Sequence, residues 1–223
     1  MGLSRKWKRK MKSKIKNVLQ FYELTSRLKN IIRTGLLAWQ VSADRLESVA
    51  EHVFSTCMLA IAIDSEFDYD IDIQKVIYML ALHELEEVII GDVPTFDNIY
   101  GAEMKELKKR GKDAVIEILS PLAKKDELFA VIKEYDENKT VEARFAKWVD
   151  KLDCGLQIKL YDMQGHINPS NADIDIKRRH NLEKRGYTRL SDSWLEYCIE
   201  MYGFDENFVE LARQARKDEN WGK

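Results

Sequence analysis

The sequence predicts an all-α fold, and three features carry that reading. Punctuation is sparse, with three prolines and ten glycines in 223 residues, so few positions force a turn. Apolar residues recur at helical spacing in segment after segment, and no run alternates with the two-residue period of a strand. Hydrophobic residues make up 45% and charged residues 33% of the chain, a balance suited to a soluble domain with a real core. We expect one compact helical domain over residues 25–223, preceded by a basic amphipathic helix over residues 1–24. No apolar stretch is long enough to cross a membrane. The N-terminal cations are followed by no apolar signal core, so a cytoplasmic location is expected.

Residues 3–32 read as a helix. Leu3, Trp7, Met11 and Ile15 recur every four residues among cations, and Leu19, Tyr22, Leu24, Leu28 and Ile32 continue the apolar face. Residues 1–16 hold eight cations and no acid, whereas the other 207 residues hold 28 cations and 38 acids, a net charge of −10. The acidic body argues against broad nucleic-acid binding by the domain. The basic helix can in principle meet an anionic membrane or a phosphate backbone. Its narrow stripe better fits a solvated helix packed on its own domain or on a second subunit.

Arg33-Thr34-Gly35 breaks this helix, and residues 36–46 read as a loop with a short turn. Ser48 then caps a new helix, with Glu51 three residues on as its capping-box partner. His52 falls in the first turn, and a lone histidine there reads as a hydrogen-bonded structural group unless other residues need it. Asp68 to Asp72 form an acidic loop without the glycine and distal glutamate of a calcium-binding EF-hand.

Ile73 or Gln74 opens the central helix. Its apolar run from Val76 to Leu82 leads into His83-Glu84, and Glu87 follows one turn later. On a continuous helix these three side chains point roughly the same way. Gly91-Asp92 close the stretch before Pro94, which cannot continue a helix. A linker then leads to a helix over 102–119, whose charged face carries Lys105, Glu106, Lys108, Lys109 and Arg110. Another helix spans 125–135. Thr140 caps a long helix over 141–163, where Asp150 stands beside an apolar face. A carboxylate there must be paired, protonated or bound to metal; Lys147 and Lys151 are within reach as partners. Residues 166–175 form a polar loop, His180 sits in a solvated basic run, and helices over 192–202 and 205–217 close the chain. Cys57, Cys154 and Cys198 are odd in number and widely spaced, which reads as three reduced thiols. No CxxC pair is present, so a structural zinc site of that type is excluded.

His52, His83, Glu84 and Asp150 each lie on a helix with an apolar face. Two imidazoles and two carboxylates suit one divalent transition metal (Mn, Co, Fe, Ni or Zn) better than calcium. Glu87 and Asp92 would remain as acid, base or water-orienting groups.

Five motifs then carry a family resemblance. They are Arg33-Thr34-Gly35; Glu47-Ser48-Val49-Ala50-Glu51-His52; His83-Glu84-Leu85-Glu86-Glu87; Gly91-Asp92-Val93-Pro94-Thr95; and Glu142-Ala143-Arg144-Phe145 through Asp150-Lys151-Leu152. In this order and spacing, over roughly residues 25–165, the chain resembles HD-domain phosphohydrolases of the branch that contains bacterial 5′-deoxynucleotidases. The resemblance implies an all-helical domain, a metal held by His52, His83, the residue at 84 and Asp150, and water positioned by Glu87. It implies Asp92 as proton donor to the leaving sugar oxygen, and Arg33 and Thr95 as substrate-binding residues. It further implies a deoxynucleoside 5′-monophosphate as substrate and a homodimer. Two features depart from the pattern. The family's adjacent His-Asp is His83-Glu84 here, and a tryptophan that the branch often carries close behind the arginine appears only as Trp39. Two other readings stay open: hydrolysis of a nucleoside triphosphate or signalling nucleotide, and a metal-poor, inactive binding module that works through its basic N-terminus.

Overall fold

The structure is a computed structural model that describes residues 5–93, 102–168, 186, 189–203, 205–218 and 220. Ten helices make up the described chain: α1 (Arg5–Ser26), α2 (Thr34–Ala38), α3 (Val49–Phe67), α4 (Ile73–Leu82), α5 (Glu87–Ile90), α6 (Ala102–Leu119), α7 (Lys125–Glu137), α8 (Val141–Met163), α9 (Leu190–Tyr202) and α10 (Glu206–Lys217). A 3-10 turn, Arg27–Asn30, follows α1. Among the described residues the extended pairing is limited to one isolated antiparallel bridge, Ile32 to Ser48. The all-α expectation holds.

Helix α8 is the central strut, packed against α3, α4, α7, α9 and α10. Its buried side chains include Phe145, Ala146, Val149 and Leu152, which share one apolar cluster with Val76, Met79 and Leu80 of α4 and Ala60 and Ile63 of α3. A second cluster joins Leu28, Val49, Leu82, Leu85 and Val88 to α6 and α7. The two clusters meet along α4. Three site-bearing helices therefore converge there because each buries an apolar face.

Both expected caps form. The Ser48 side chain accepts from the Glu51 amide, and the Glu51 carboxylate accepts from the Ser48 amide. Thr140 accepts from the Ala143 amide. Caps of this kind contribute about 1 kcal/mol each.

Three boundaries differ from expectation. The first helix ends at Ser26, and the break lies at residues 31–33 rather than at 33–35. The cause is backbone pairing: the Arg33 amide donates to the Glu47 carbonyl (3.0 Å) and the Val49 amide to the Ile31 carbonyl (2.8 Å). Thr34 and Gly35 then belong to the short α2. Helix α4 stops at Leu82, and residues 83–86 form tighter turns in which the Leu85 amide bonds the Leu82 carbonyl and the Glu87 amide bonds the Glu84 carbonyl. His83 and Glu87 thus sit on different elements. Gly91, at φ +76°, ends α5 in a region that side-chain-bearing residues avoid. On α1 the packing face is Phe21 and Leu24, while Leu19 and Tyr22 are exposed. The expected basic run at 177–180 lies outside the described residues.

Candidate metal centre

The capping box starts α3 at Val49, which places His52 one turn inside the helix and fully buried. The end of α4 delivers His83 and Glu84, and the middle of α8 delivers Asp150. One ligating atom from each of His52, His83, Glu84 and Asp150 lies within 4.8 Å of the other three. His52 Nε2 is 3.2 Å from Asp150 Oδ1, 3.4 Å from His83 Nε2 and 3.7 Å from Glu84 Oε1. His83 Nε2 is 3.4 Å from Glu84 Oε1 and 3.8 Å from Asp150 Oδ1.

The surrounding hydrogen bonds orient all four groups. His52 Nδ1 faces Asp153 Oδ2 at 2.7 Å, and His83 Nδ1 faces the Leu80 carbonyl at 2.6 Å. Acceptors at both Nδ1 positions favour Nδ1–H tautomers, which turn both Nε2 lone pairs inward. Asp150 Oδ2 accepts from the Tyr135 hydroxyl (3.0 Å) and the Lys151 ammonium (2.9 Å). Asp150 Oδ1 is buried, and despite its 3.2 Å approach to His52 it has no well-aligned donor. Glu84 Oε1 is held by Arg33 Nη1 at 3.3 Å. With both Nε2 atoms unprotonated, two imidazole lone pairs and two carboxylate oxygens converge on one point. That arrangement fits a divalent cation with mixed nitrogen and oxygen ligands.

The charges agree. Burial opposes ionisation of Asp150, but Lys151 and the adjacent His52 hold it well below the ordinary carboxylate range. Burial likewise opposes Glu84, and His83, His52 and Arg33 outweigh it. Burial drives His83 down, keeping it neutral and able to ligate. Burial and Arg33 also oppose charge on His52, yet the carboxylates of Asp150 and Asp153 raise it well above its ordinary value. A cation entering the cluster therefore competes with a proton on His52.

Three more of the expected residues line one cavity of about 1080 Å³. Arg33, Glu84, Glu87 and Asp92 all line it. Glu87 is 8% exposed, with Oε2 buried and without a hydrogen-bond partner. Burial, then Glu84 and Asp92, push its carboxyl up to about 10. Asp92 Oδ2 accepts from the Thr34 amide and its carbonyl accepts from the Thr34 hydroxyl, both at 2.6 Å. This ties the loop after α5 to the start of α2. Thr95 lies outside the described residues. Trp39 is 2% exposed and belongs to a core cluster, not to the cavity wall.

Several participants escaped the sequence reading. Asp153 lies one turn after Asp150 and orients His52; its only sequence signal was a second carboxylate at i+3 on a buried helix face. Tyr135 sets its ring edge-on to His83 (5.5 Å between centroids), lies under the Lys147 ammonium (3.6 Å) and donates to Asp150. Nothing local marks it out. Glu47 closes on His52 and Asp153 within 4.8 Å, and burial with Asp153 raises it to about 7. Cys154 accepts from Arg33 Nη2 at 3.2 Å. Of the two lysines considered for Asp150, Lys151 pairs with it and Lys147 lies over the Tyr135 ring instead.

Comparison with known proteins places the chain in a family. A 5′-deoxynucleotidase HDDC2 from Dictyostelium discoideum is 33% identical over 157 residues, covering 67% of this chain and 80% of that protein. A 5′-deoxynucleotidase from Erwinia tasmaniensis is 28% identical over 206 residues, covering 87% and 97%. A crystal structure from Magnetospirillum magnetotacticum, described as a predicted metal-dependent phosphohydrolase, shares the fold with a TM-score of 0.63 at 22% identity, covering 93% of each chain. The family model described as HD domain matches residues 25–190, and the chain belongs to the HD-domain family.

Proposed function

We propose that this protein is a metal-dependent phosphomonoesterase that converts deoxynucleoside 5′-monophosphates to nucleoside and phosphate. The observation that carries the reading is the convergence of His52, His83, Glu84 and Asp150, with Glu84 opening onto a cavity that also presents Arg33, Glu87 and Asp92. Relatives named 5′-deoxynucleotidases support the substrate class.

His52, His83, Glu84 and Asp150 would hold one divalent ion, with Mn, Co, Fe, Ni and Zn all compatible with the donor set. Such an ion neutralises phosphoryl charge and makes water more acidic. Arg33 binds a phosphate oxygen while keeping Glu84 in place. The longer reach of glutamate over aspartate is accommodated by that pairing, 3.3 Å from Arg33. Glu87, buried and neutral before substrate enters, accepts a hydrogen bond from the attacking water and aims it in line with the leaving oxygen. Asp92 has one carboxyl oxygen committed to Thr34 and presents the other, carrying a proton, to the 5′ oxygen, which it protonates as the P–O bond breaks. Of the attacking water's two protons one stays on the phosphate formed and the other is released to solvent, from which Asp92 is reprotonated. Thr95 is proposed as a substrate contact. Phosphate esters break slowly unaided, so positioning and charge neutralisation supply most of the rate.

A triphosphate substrate has one observation in its favour: Lys108, Lys112 and Lys133 line the cavity. Glu86, Asp136 and Glu137 line it as well and offset them. The monophosphate reading therefore leads.

We further propose a homodimer in the cytoplasm, with residues 1–24 as a segment appended to the 25–223 domain. Support for the dimer is an exposed apolar row on α3, formed by Phe54, Met58 and Ile61. Cys57, Cys154 and Cys198 form no disulfide, as a reducing compartment would keep them.

The test is metal analysis followed by phosphate release from a panel of deoxy- and ribonucleoside monophosphates with Mn²⁺, Co²⁺ and Mg²⁺. About one metal per chain and release of phosphate, with none of either in Asp150→Ala, is the expected result. Full metal content and activity in Asp150→Ala would sink the proposal. Pyrophosphate released from triphosphates would replace it with the second reading.

A further inference from the structure

Helix α9 reaches the cavity from a side that the proposed chemistry does not use. Gly155 of α8 permits its close approach: a Cβ at that position would stand 3.0 Å from Leu195 Cδ2 and 3.3 Å from Cys198 Sγ. The Cys198 thiol donates to the Lys151 carbonyl at 3.1 Å, which fixes α9 beside the turn of α8 that carries Asp150. Trp194, Tyr197 and Cys198 follow an i, i+3, i+4 pattern and so share one face of α9. That face lines the cavity that Arg33 also lines. Trp194 is braced edge-on by the buried Trp39, with ring centroids 6.2 Å apart at 64°.

We propose that Trp194 and Tyr197 form the nucleobase wall of the site, receiving a planar base while Arg33 and the metal cluster hold the phosphate. The inference rests on the nucleotide reading above and adds where the base goes. The cavity is several times larger than a phosphoryl group requires, and its volume matches that of sites for whole small-molecule ligands. Parts of its wall differ in chemistry. Helices α6 and α7 contribute lysines and carboxylates beside apolar side chains, whereas Trp194 and Tyr197 line it together with Leu36 and Ile158, which share a core cluster with Trp194 and carry no charge. An uncharged aromatic ring system belongs on that uncharged part. Stacking on an aromatic side chain accepts any base, because every base offers a π-face. The wall therefore predicts affinity for bases in general and little discrimination among them. It also gives Trp39 a role: buried in the core, it positions Trp194 from behind.

The decisive experiment compares dTMP, dAMP and dCMP with 2-deoxyribose 5-phosphate, which keeps the sugar and phosphate and lacks the base. Binding to the metal-loaded protein is measured by calorimetry, and turnover by phosphate release, for wild type, Trp194→Leu, Trp194→Phe and Tyr197→Leu. We expect wild type to bind each nucleotide at least tenfold tighter than the base-free phosphate. Trp194→Leu and Tyr197→Leu should each weaken the nucleotides about tenfold, as loss of one stacked base contact does. Binding of 2-deoxyribose 5-phosphate should stay unchanged, and Trp194→Phe should restore most of the loss. Unchanged binding of the base-free ligand also shows that the variants are folded. Equal affinity of wild type for dTMP and 2-deoxyribose 5-phosphate overturns the inference, as does equal weakening of both ligands in both leucine variants. Nucleotide binding with the expected difference but no phosphate released from any compound overturns the nucleotidase reading and leaves the base wall standing.

Discussion

Helices α1 and α8 are nearly equal in length, 22 and 23 residues, and they use their side chains in opposite ways. Helix α8 buries charge: Asp150, Asp153 and Lys159 are each under 7% exposed. All of them have been supplied with partners, from Tyr135 and Lys151 on Asp150 to the Arg216 carbonyl on Lys159. Helix α1 exposes apolar surface instead. It packs through Phe21 and Leu24, with Asn17 bonded to the Pro121 carbonyl, and leaves Met11, Ile15, Val18, Leu19 and Tyr22 on the outside. Buried charge is costly unless paired, whereas exposed apolar residues are tolerated. The difference teaches where change should hurt: at the partners of α8's charges, and scarcely at all along α1's outer stripe.

The largest effect should come from removing one of those partners. Asp153→Ala frees His52 Nδ1 and with it the ring orientation, so affinity for Mn²⁺ or Co²⁺ in a competition titration should fall about 10–100-fold. Wild-type affinity in this variant would break the comparison, because α8's buried charges would then not depend on their neighbours.

A smaller effect is expected at Glu87, the buried carboxyl with an unpartnered oxygen. Its value is raised above that of the unfolded chain, so the stability it contributes is complete below about pH 4.5 and is lost as pH rises toward about 10. Glutamine cannot ionise. Metal-free Glu87→Gln should therefore unfold in urea with about 2 kcal/mol more stability than wild type at pH 8, and the two should converge near pH 4.5. A constant difference across that range would mean that Glu87 does not titrate with folding.

The smallest effect sharpens the comparison from the other side. Ile15→Ser and Leu19→Ser should each change monomer stability by under about 0.5 kcal/mol and leave metal affinity untouched. A loss as large as that of a core truncation would show that the stripe is covered within the folded chain or its assembly.

Much of this was legible in the sequence. Helix content followed from apolar spacing and sparse turn residues. The capping box at Ser48 and Glu51 and the cap at Thr140 follow from local rules, since each concerns groups three residues apart. The four residues of the cluster were recognisable because two histidines and two carboxylates stood beside apolar faces, where they would otherwise be penalised. The break after α1 is not legible locally, because it depends on pairing between residues 31–33 and 47–49, which no local window contains. The turn at 83–86 is helical in composition, so only the structure separates it from α4. The outward turn of Leu19 and Tyr22 could not be read from α1 alone, where two apolar faces compete and the partner surface decides between them.

The sequence by itself determined the fold class, the caps and the chemical identity of the cluster, because these depend on residue type and spacing within a few turns of chain. Tertiary structure alone decided which oxygen of Asp150 points inward, that Asp153 and Tyr135 orient the ligands, that Trp39 is core, and that α9 forms a wall of the cavity. Those outcomes rest on contacts between residues 15 to 155 positions apart. Directional hydrogen bonds and ring packing select one arrangement there only once several helices have buried their apolar faces together.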